Sequence, residues 1–198
     1  MADTPDGNVD DRIWITSRTR MISERKALRR QNYSYLLLTY YSLFVVVISA
    51  FSEYYRNYYK LFDSINISAS VVVLAASLVV AGFRFEAAAM VFRDCYLSLQ
   101  KLHGENLPPE DKQMRYMDIL SKFPNHSDRD YYDLLVNHTL LEGKKLRNGS
   151  VELSFTKFMV ISFLCRSAFF YSVVILLFLL PVVFLFAPLL GLGIDVPK

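Results

Sequence analysis

The stretch SINISASVVVLAASLVVAGF, residues 64–83, decides the fold, because it carries no charge between Asp63 and Arg84. A helix rises about 1.5 Å per residue, so about 20 apolar residues cross the roughly 30 Å hydrocarbon core of a bilayer. A second charge-free run of similar length covers residues 31–52. The two runs therefore predict a hairpin of two membrane-spanning helices joined by a short loop.

A third apolar run, SAFFYSVVILLFLLPVVFLFAPLLGLGI, covers residues 167–194. It is longer than one crossing requires and contains Pro181 and Pro188. Proline removes a helical hydrogen bond and bends the helix, and a long span tilts. We expect a third span that tilts or kinks, and a buried core helix or a re-entrant segment remains the alternative.

The composition indicates a chain that lies partly in the membrane and partly in water. Its 198 residues are 53% apolar, a high fraction for a soluble domain. The net charge of +3 is too small to indicate direct binding of nucleic acid. Cys95 and Cys165 lie far apart and outside any metal-binding spacing, so we expect two buried free thiols and no cofactor.

Basic residues predict the orientation, because cytoplasmic flanks carry an excess of lysine and arginine. Such residues cluster at 18–30 and again at 84–166, whereas Arg56 and Lys60 in the loop 52–64 are balanced by acids. We expect the N-terminus and residues 84–166 in the cytoplasm and the C-terminus outside. The basic stretch 18–30 is either a topology determinant on a solvated helix face or a binding site for acidic lipid headgroups.

The region after the second run predicts further helices. Nothing between Gly82 and Gly104 breaks a helix, so we expect the second span to continue as an unbroken rod of about 40 residues. Pro109 is suited to the first turn of the next helix. Gly149 and Ser150 are expected to cap the end of one helix and the start of the last one.

The segment PNHSDRDYYDLL, residues 124–135, raises the question of catalysis, because His126, Asp128 and Asp130 lie close together. The spacing suits a metal-dependent phosphoesterase, although such a site needs further converging ligands. Ser127 and Asp130 also have the spacing of a capping box at a helix N-terminus. We interpret the segment as a helix start and keep a membrane-bound hydrolase as a third functional hypothesis.

Together these features predict an all-α membrane protein. It has an N-terminal two-span helical hairpin, a cytoplasmic helical unit and a third C-terminal span. The predicted segments are the basic cytoplasmic arm and helix (1–32), the transmembrane hairpin (33–83), the cytoplasmic helical domain (84–164), and the third transmembrane helix with a short tail (165–198).

Small residues on the spans offer faces on which helices approach closely in lipid. They are Ser42 and Ser49 on the first span, and Ser70, Ser77 and Ala81 on the second. Such faces either pack helix on helix, which is the commoner role, or line a wet path. No charge lies in mid-membrane, so ion-coupled transport is not expected. A homo-oligomer is expected, because three spans enclose little by themselves.

Three segments carry a resemblance to a known family: IWITSRTR at 13–20, FRDCYLSLQKL at 92–102 and RYMDILSKFPNHSDRDY at 115–131. They are similar to the SLATT family, prokaryotic two-span effector domains found with nucleotide-second-messenger synthases or reverse transcriptases in anti-phage systems. The resemblance covers roughly residues 13–145. The chain departs from the family's minimal pattern in its third span.

The resemblance implies a non-enzymatic membrane effector that breaches the inner membrane and stops the infected cell when a partner or its product activates it. The implied partner is a co-encoded second-messenger synthase or reverse transcriptase, besides the lipid bilayer and other copies of the chain. Direct nucleotide sensing is not expected, because the chain has no separate ligand-sensing domain. The alternative is a passive membrane anchor or scaffold for a cytoplasmic enzyme.

The resemblance also suggests where the signal is received and how it acts. Rotation of the long second helix would expose the face that carries Ser70, Ser77 and Ala81. The residues expected to receive the signal form one cytoplasmic corner: Tyr96, Tyr116, Asn125, His126 and Asp130.

Overall fold

The computed structural model describes residues 8–187 of the chain. The chain divides into a head unit, residues 1–29 and 85–167, and a span unit, residues 30–84 and 168–198. The elements in chain order are α1 (Val9–Ala50), α2 (Ser52–Arg56), α3 (Phe62–Gly82), α4 (Phe85–Gly104), α5 (Pro109–Lys122), α6 (Asp128–Leu135), a π-helix (Val136–Leu141), β1 (Leu146–Asn148), β2 (Val151–Leu153) and α7 (Lys157–Phe186).

Three helical stretches are long and apolar enough to cross a membrane, namely Val9–Ala50, Phe62–Gly104 and Lys157–Phe186. The prediction of a helical membrane protein with three candidate spans is therefore confirmed. All three stretches contain residues of both units, but only α1 and α7 do so as a single helix, because the stretch Phe62–Gly104 is divided into α3 and α4.

In the span unit, α1 supplies hydrogen bonds that a proline in α7 leaves unmade. Pro181 lies inside α7 and has no N–H to donate to the carbonyl of Leu177, four residues earlier. The hydroxyl of Tyr41 donates to that carbonyl at 2.8 Å, and the hydroxyl of Tyr40 donates to the carbonyl of Phe178 at 3.1 Å. In lipid a freed backbone carbonyl must find such a partner, so the hydroxyl of Tyr41 compensates the proline.

Aromatic rings close the loop end of the span unit. Ile48, Tyr55 and Phe62 are buried together, and the rings of Tyr55 and Phe62 stack with their centroids 5.8 Å apart. Phe184 of α7 stacks on Tyr59 at 5.1 Å. This cluster ties the 52–64 loop region to α1 and α7.

The second span does not continue as an unbroken rod, and that prediction is wrong. Helix α3 ends at Gly82, and the N–H of Phe83 closes its last turn on the carbonyls of Val79 and Val80. Arg84 follows with a φ of 45°, a left-handed conformation that costs a residue with a Cβ on the order of 1–2 kcal/mol. The helix is therefore interrupted between Gly82 and Phe85.

The core of the head unit forms on two sides of α1. Ile13 packs with Cys95, Leu99, Leu102 and Tyr116 in one cluster. Ile15 lies in a second cluster with residues from α6, β1 and α7: Leu134, Leu135, Leu146 and, partly buried, Met159. Helix α1 is therefore the central element of the unit.

The two cysteines differ in environment. Cys95 is buried and Cys165 is exposed. The expectation of a buried thiol is confirmed for Cys95 and wrong for Cys165, because the latter lies on an outward face of α7.

The predicted caps at Gly149 and Ser150 are wrong, because these residues form the turn of a short β-hairpin. Asn148 pairs with Val151 across the two strands. Gly149, with a φ of 63°, takes the left-handed conformation that glycine allows in such two-residue turns. Helix α7 begins only at Lys157, after Thr156, whose hydroxyl accepts a hydrogen bond from the N–H of Met159 at 3.3 Å.

Candidate functional site

The start of α6 is the capping box that the sequence predicts. The hydroxyl of Ser127 accepts a hydrogen bond from the N–H of Arg129 at 3.3 Å. The carboxylate of Asp130 accepts one from the N–H of Ser127, also at 3.3 Å. Both groups satisfy backbone donors that a helix N-terminus leaves free.

Asp130 and Asp133 of α6 also face inward, where they form a buried ion-pair cluster. The amino group of Lys26 on α1 lies 2.5 Å from an oxygen of each carboxylate. Asp133 pairs in addition with Arg166 of α7, and Asp130 accepts a hydrogen bond from the hydroxyl of Ser23 at 2.8 Å. One turn of α6 thus binds both α1 and α7 within the head unit.

Electrostatics keep Asp130 ionised. Burial by itself raises the pKa of Asp130, but hydrogen bonds from Lys26 and Ser23 and the charge of Lys26 outweigh it. The pKa of this carboxyl therefore lies below its usual value. Asp130 is therefore charged at neutral pH, and a charge buried with its partner is costly to leave without it.

A buried arginine holds the segment before α6. Arg20 is 0% exposed, and its guanidinium donates to the backbone carbonyl of Pro124 and, at 3.5 Å, to the side-chain oxygen of Asn125. It also lies over the ring of Phe92, 5.9 Å from the centroid. Burial lowers the pKa of Arg20. These contacts fasten the 124–125 backbone to α1.

A cleft of about 570 Å³ opens beside this segment, and we call it the corner cleft. Tyr116, Asn125 and His126 lie in its wall together with Arg12 and Tyr131. The structure therefore brings three of the five predicted signal-receiving residues together. Asp130 lies behind them in the ion-pair cluster, and Tyr96 lies half-buried on α4, outside the residues that line the cleft.

His126 is one of the side chains in the corner cleft that have an unsatisfied polar atom. Its Nδ1 is buried and has no hydrogen-bond partner among the described residues. Burial lowers the pKa of His126, and the charge of Arg20 lowers it further, although Asp130 and Asp128 act in the opposite direction. The imidazole is therefore neutral at pH 7.

The geometry gives no support for catalysis by His126 and Asp130. Both oxygens of Asp130 are occupied, one by Lys26 and the other by Ser23 and the N–H of Ser127. Over residues 8–187, no group of three histidine, cysteine or acidic side chains is arranged to hold a metal ion. The two oxygens of Asp130 thus connect α6 to α1 and cap the start of α6.

The small residues predicted to pack or line the spans do not come together as one set. The hydroxyl of Ser49 bonds the side chain of Asn66 on α3. Ser70 and Ser77 donate instead to carbonyls of their own helix. Ser42 and Ala81 are exposed, and the role of all five stays a prediction.

Sequence reasoning missed Arg20, Lys26, Asp133 and Arg166 as members of the site. Lys26 and Asp130 are 104 positions apart, so no local pattern connects them. The one available signal was that Asp133 stands beside Leu134 and Leu135, on a helix face that had to be buried.

Three apolar helices and a helical head unit define a helical membrane protein. The chain matches the SMODS and SLOG-associating 2TM effector domain family 5 over residues 2–187, and it belongs to this family. The resemblance to the SLATT family is thereby confirmed. The match extends beyond the expected 13–145 and includes α7, although the family is described as having two spans.

Membership implies a membrane effector in defence systems and an association with SMODS or SLOG partner systems. Neither a curated protein nor a solved structure matches the chain. The head unit therefore has to be interpreted from its own contacts.

Proposed function

We propose that the chain is a non-enzymatic membrane effector of a prokaryotic anti-phage system. A partner protein or its product activates it, and the chain then oligomerises or rearranges and permeabilises the bacterial inner membrane. The partner is a co-encoded nucleotide-second-messenger synthase or reverse transcriptase. The head unit lies in the cytoplasm, and abortive infection follows from loss of the membrane barrier.

The ion-pair cluster on α6 carries this proposal. Asp133 binds Lys26 on α1 and Arg166 on α7, and these two helices run on to Ala50 and Phe186 as candidate spans. A signal that moves α6 changes the hold on both helices at once. The break at Arg84 makes α1 and α7, rather than a rigid second helix, the transmitting elements.

Membrane potential in single bacterial cells tests the proposal. A voltage-sensitive dye would follow cells that express the chain with its genomic neighbours during a phage challenge. We expect depolarisation within minutes, before lysis. Ser77→Leu on α3 should abolish the depolarisation while membrane insertion and partner binding continue.

A matched control separates the Ser77 face from a general effect of leucine in a span. Ser68 lies on the same helix nine residues earlier, which places it about half a turn away. Ser68→Leu should leave depolarisation intact. Cells that keep their potential throughout, while the chain still binds its partner, would instead favour a passive anchor or scaffold.

A further inference from the structure

The head unit contains a second cleft, of about 730 Å³, whose wall includes the indole of Trp14. We call it the Trp14 cleft. Arg18 and Arg25 of α1 line it, and so do His138 of the π-helix and Lys144. The basic stretch 18–30 therefore does not lie wholly on a solvated helix face, because two of its arginines open into this cleft.

The Trp14 cleft carries an excess of positive charge. Arg18 and Arg25 are exposed, and within residues 8–187 neither forms an ion pair with a carboxylate. Glu142 is the acid in the wall. It already lies 2.8 Å from the amino group of Lys144 and 3.5 Å from the imidazole of His138. An anion in the cleft would thus meet two arginines that form no ion pair with a described carboxylate, although the charge of Arg18 also acts on Glu142.

The aromatic part of the wall adds a preference for a planar group. Trp14 is half-buried, the guanidinium of Arg18 lies 5.2 Å from its ring centroid, and the ring of His138 meets it edge-on at 5.3 Å. An indole beside a planar guanidinium offers stacking to a heterocycle and bidentate hydrogen bonds to a phosphate.

A rare element, a π-helix, supplies part of the wall. Asn137 and His138 belong to the π-helix Val136–Leu141, and π-helical turns are uncommon and occur frequently at functional sites. The widened turn continues α6 directly, so the Trp14 cleft adjoins the helix that carries Asp130 and Asp133. Occupancy of the cleft can therefore act on the ion-pair cluster through one continuous segment.

We propose that the Trp14 cleft binds a phosphate ester, with the arginines on the phosphate and the indole against a planar base. A free nucleotide and a lipid headgroup share the phosphate chemistry, and the indole favours the nucleotide. This proposal departs from the expectation, drawn from the sequence, that the chain does not sense a nucleotide directly. This site does not depend on the membrane-permeabilising function proposed above, because binding and depolarisation are measured separately.

Trp14 itself provides the measurement, because it is the single tryptophan of the chain. The full-length protein in phosphatidylcholine nanodiscs is titrated with adenosine 5′-monophosphate, and the indole fluorescence is followed. We expect a saturable change with this nucleotide and none with adenosine at the same concentrations. A parallel sample in nanodiscs with phosphatidylglycerol tests the lipid source.

The variant Arg18→Gln/Arg25→Gln removes the two unpaired charges and leaves Trp14 in place. Loss of charge-assisted hydrogen bonds to the phosphate should weaken the apparent affinity at least about tenfold. Arg147→Gln changes an exposed arginine on β1 and should leave the affinity unchanged.

The outcomes distinguish a nucleotide from a lipid headgroup as the source of the phosphate, and both from a cleft that binds no phosphate ester. A response to phosphatidylglycerol but not to the nucleotide assigns the phosphate to a lipid headgroup. Absence of a saturable response to both ligands, or a response that Arg18→Gln/Arg25→Gln leaves unchanged, overturns the proposal. None of these binding results changes the interpretation of the depolarisation experiment, which tests the membrane-permeabilising function separately.

Discussion

Asp133 is the residue through which α6 holds two other helices. It is 5% exposed and shared by Lys26 and Arg166. Asp133→Asn leaves both cations without their full partner. We expect a loss of about 2–3 kcal/mol, less than the roughly 3–5 kcal/mol of a fully buried pair, because the cations are partly solvated. Denaturant unfolding of the detergent-solubilised protein, monitored by circular dichroism, measures this loss in the free energy of unfolding.

A matched carboxylate tests whether burial causes this loss. Asp118 pairs with Lys122 on the exposed surface of α5, with both side chains about 60% exposed. Asp118→Asn should change the free energy of unfolding by less than about 0.5 kcal/mol. Equal effects of the two substitutions would contradict a special role for the cluster.

His126 makes stability depend on pH. Its pKa in the folded protein lies below the ordinary value of 6.5, mainly because of burial. Below about pH 6.5 the unfolded chain binds a proton that the folded chain resists, so stability is present above that pH and falls as the pH decreases. The melting temperature should fall between pH 7.5 and 5.5, and His126→Gln should reduce this fall.

The control for His126 is an exposed histidine. His103 lies at the end of α4, and His103→Gln should retain the pH dependence of the wild type. A His126→Gln protein with an unchanged dependence would show that another group is responsible.

At the residue scale, local patterns were predictable and distant partners were not. The capping box at Ser127 and Asp130 follows from a three-residue spacing, and the structure confirms it. The same carboxylate of Asp130 also binds Ser23, which is 107 positions away. Packing of α6 on α1 creates that contact, so no spacing within the sequence encodes it.

At the element scale, α7 depends on α1 because of Pro181. Tyr41→Phe removes the hydroxyl that bonds the carbonyl of Leu177, and such interhelical bonds in membrane proteins contribute about 0.6 kcal/mol and at most about 1.7. Pro181→Ala returns an N–H to the helix, so the loss caused by Tyr41→Phe should shrink in that background. Unfolding of the four proteins of this double-mutant cycle in mixed detergent measures the coupling.

Tyr35 offers the matched control for that cycle. It lies on the same helix and is 51% exposed. Tyr35→Phe should have the same small effect with and without Pro181. A Tyr41→Phe effect that is equally independent of Pro181 would contradict the compensation of the proline.

The elements that the sequence predicts are those with a long or repeated pattern. Charge-free runs reveal the spans because a bilayer requires about 20 apolar residues. No such pattern marks the break at Arg84, because an arginine in the sequence does not indicate a left-handed backbone conformation. The hairpin had a signal in Gly149 and Ser150, a Gly-Ser pair at the two turn positions, but strands of three residues are too short to show alternation.

At the scale of the whole molecule, we predict that the three candidate spans each cross the membrane and put the two ends of the described chain on opposite sides of it. The family match includes α7, so the third helix is part of the domain. Positive charge near residues 18–30 and 84–166 predicts that the head unit is cytoplasmic. A single set of labelled positions can test this arrangement.

Cysteine labelling of intact cells tests the topology. In a chain with Cys95→Ala and Cys165→Ser, Asn57→Cys lies in the exposed loop after α2 and Ser150→Cys lies in the hairpin turn. A membrane-impermeant maleimide should label position 57 in cells whose outer membrane alone is permeabilised. Position 150 should react only after the inner membrane is opened, because three crossings put the loop outside and the head unit inside. Labelling of position 150 alone in intact spheroplasts would show the opposite orientation. Labelling of both positions there would show that they lie on the same side of the membrane, so that fewer spans cross it.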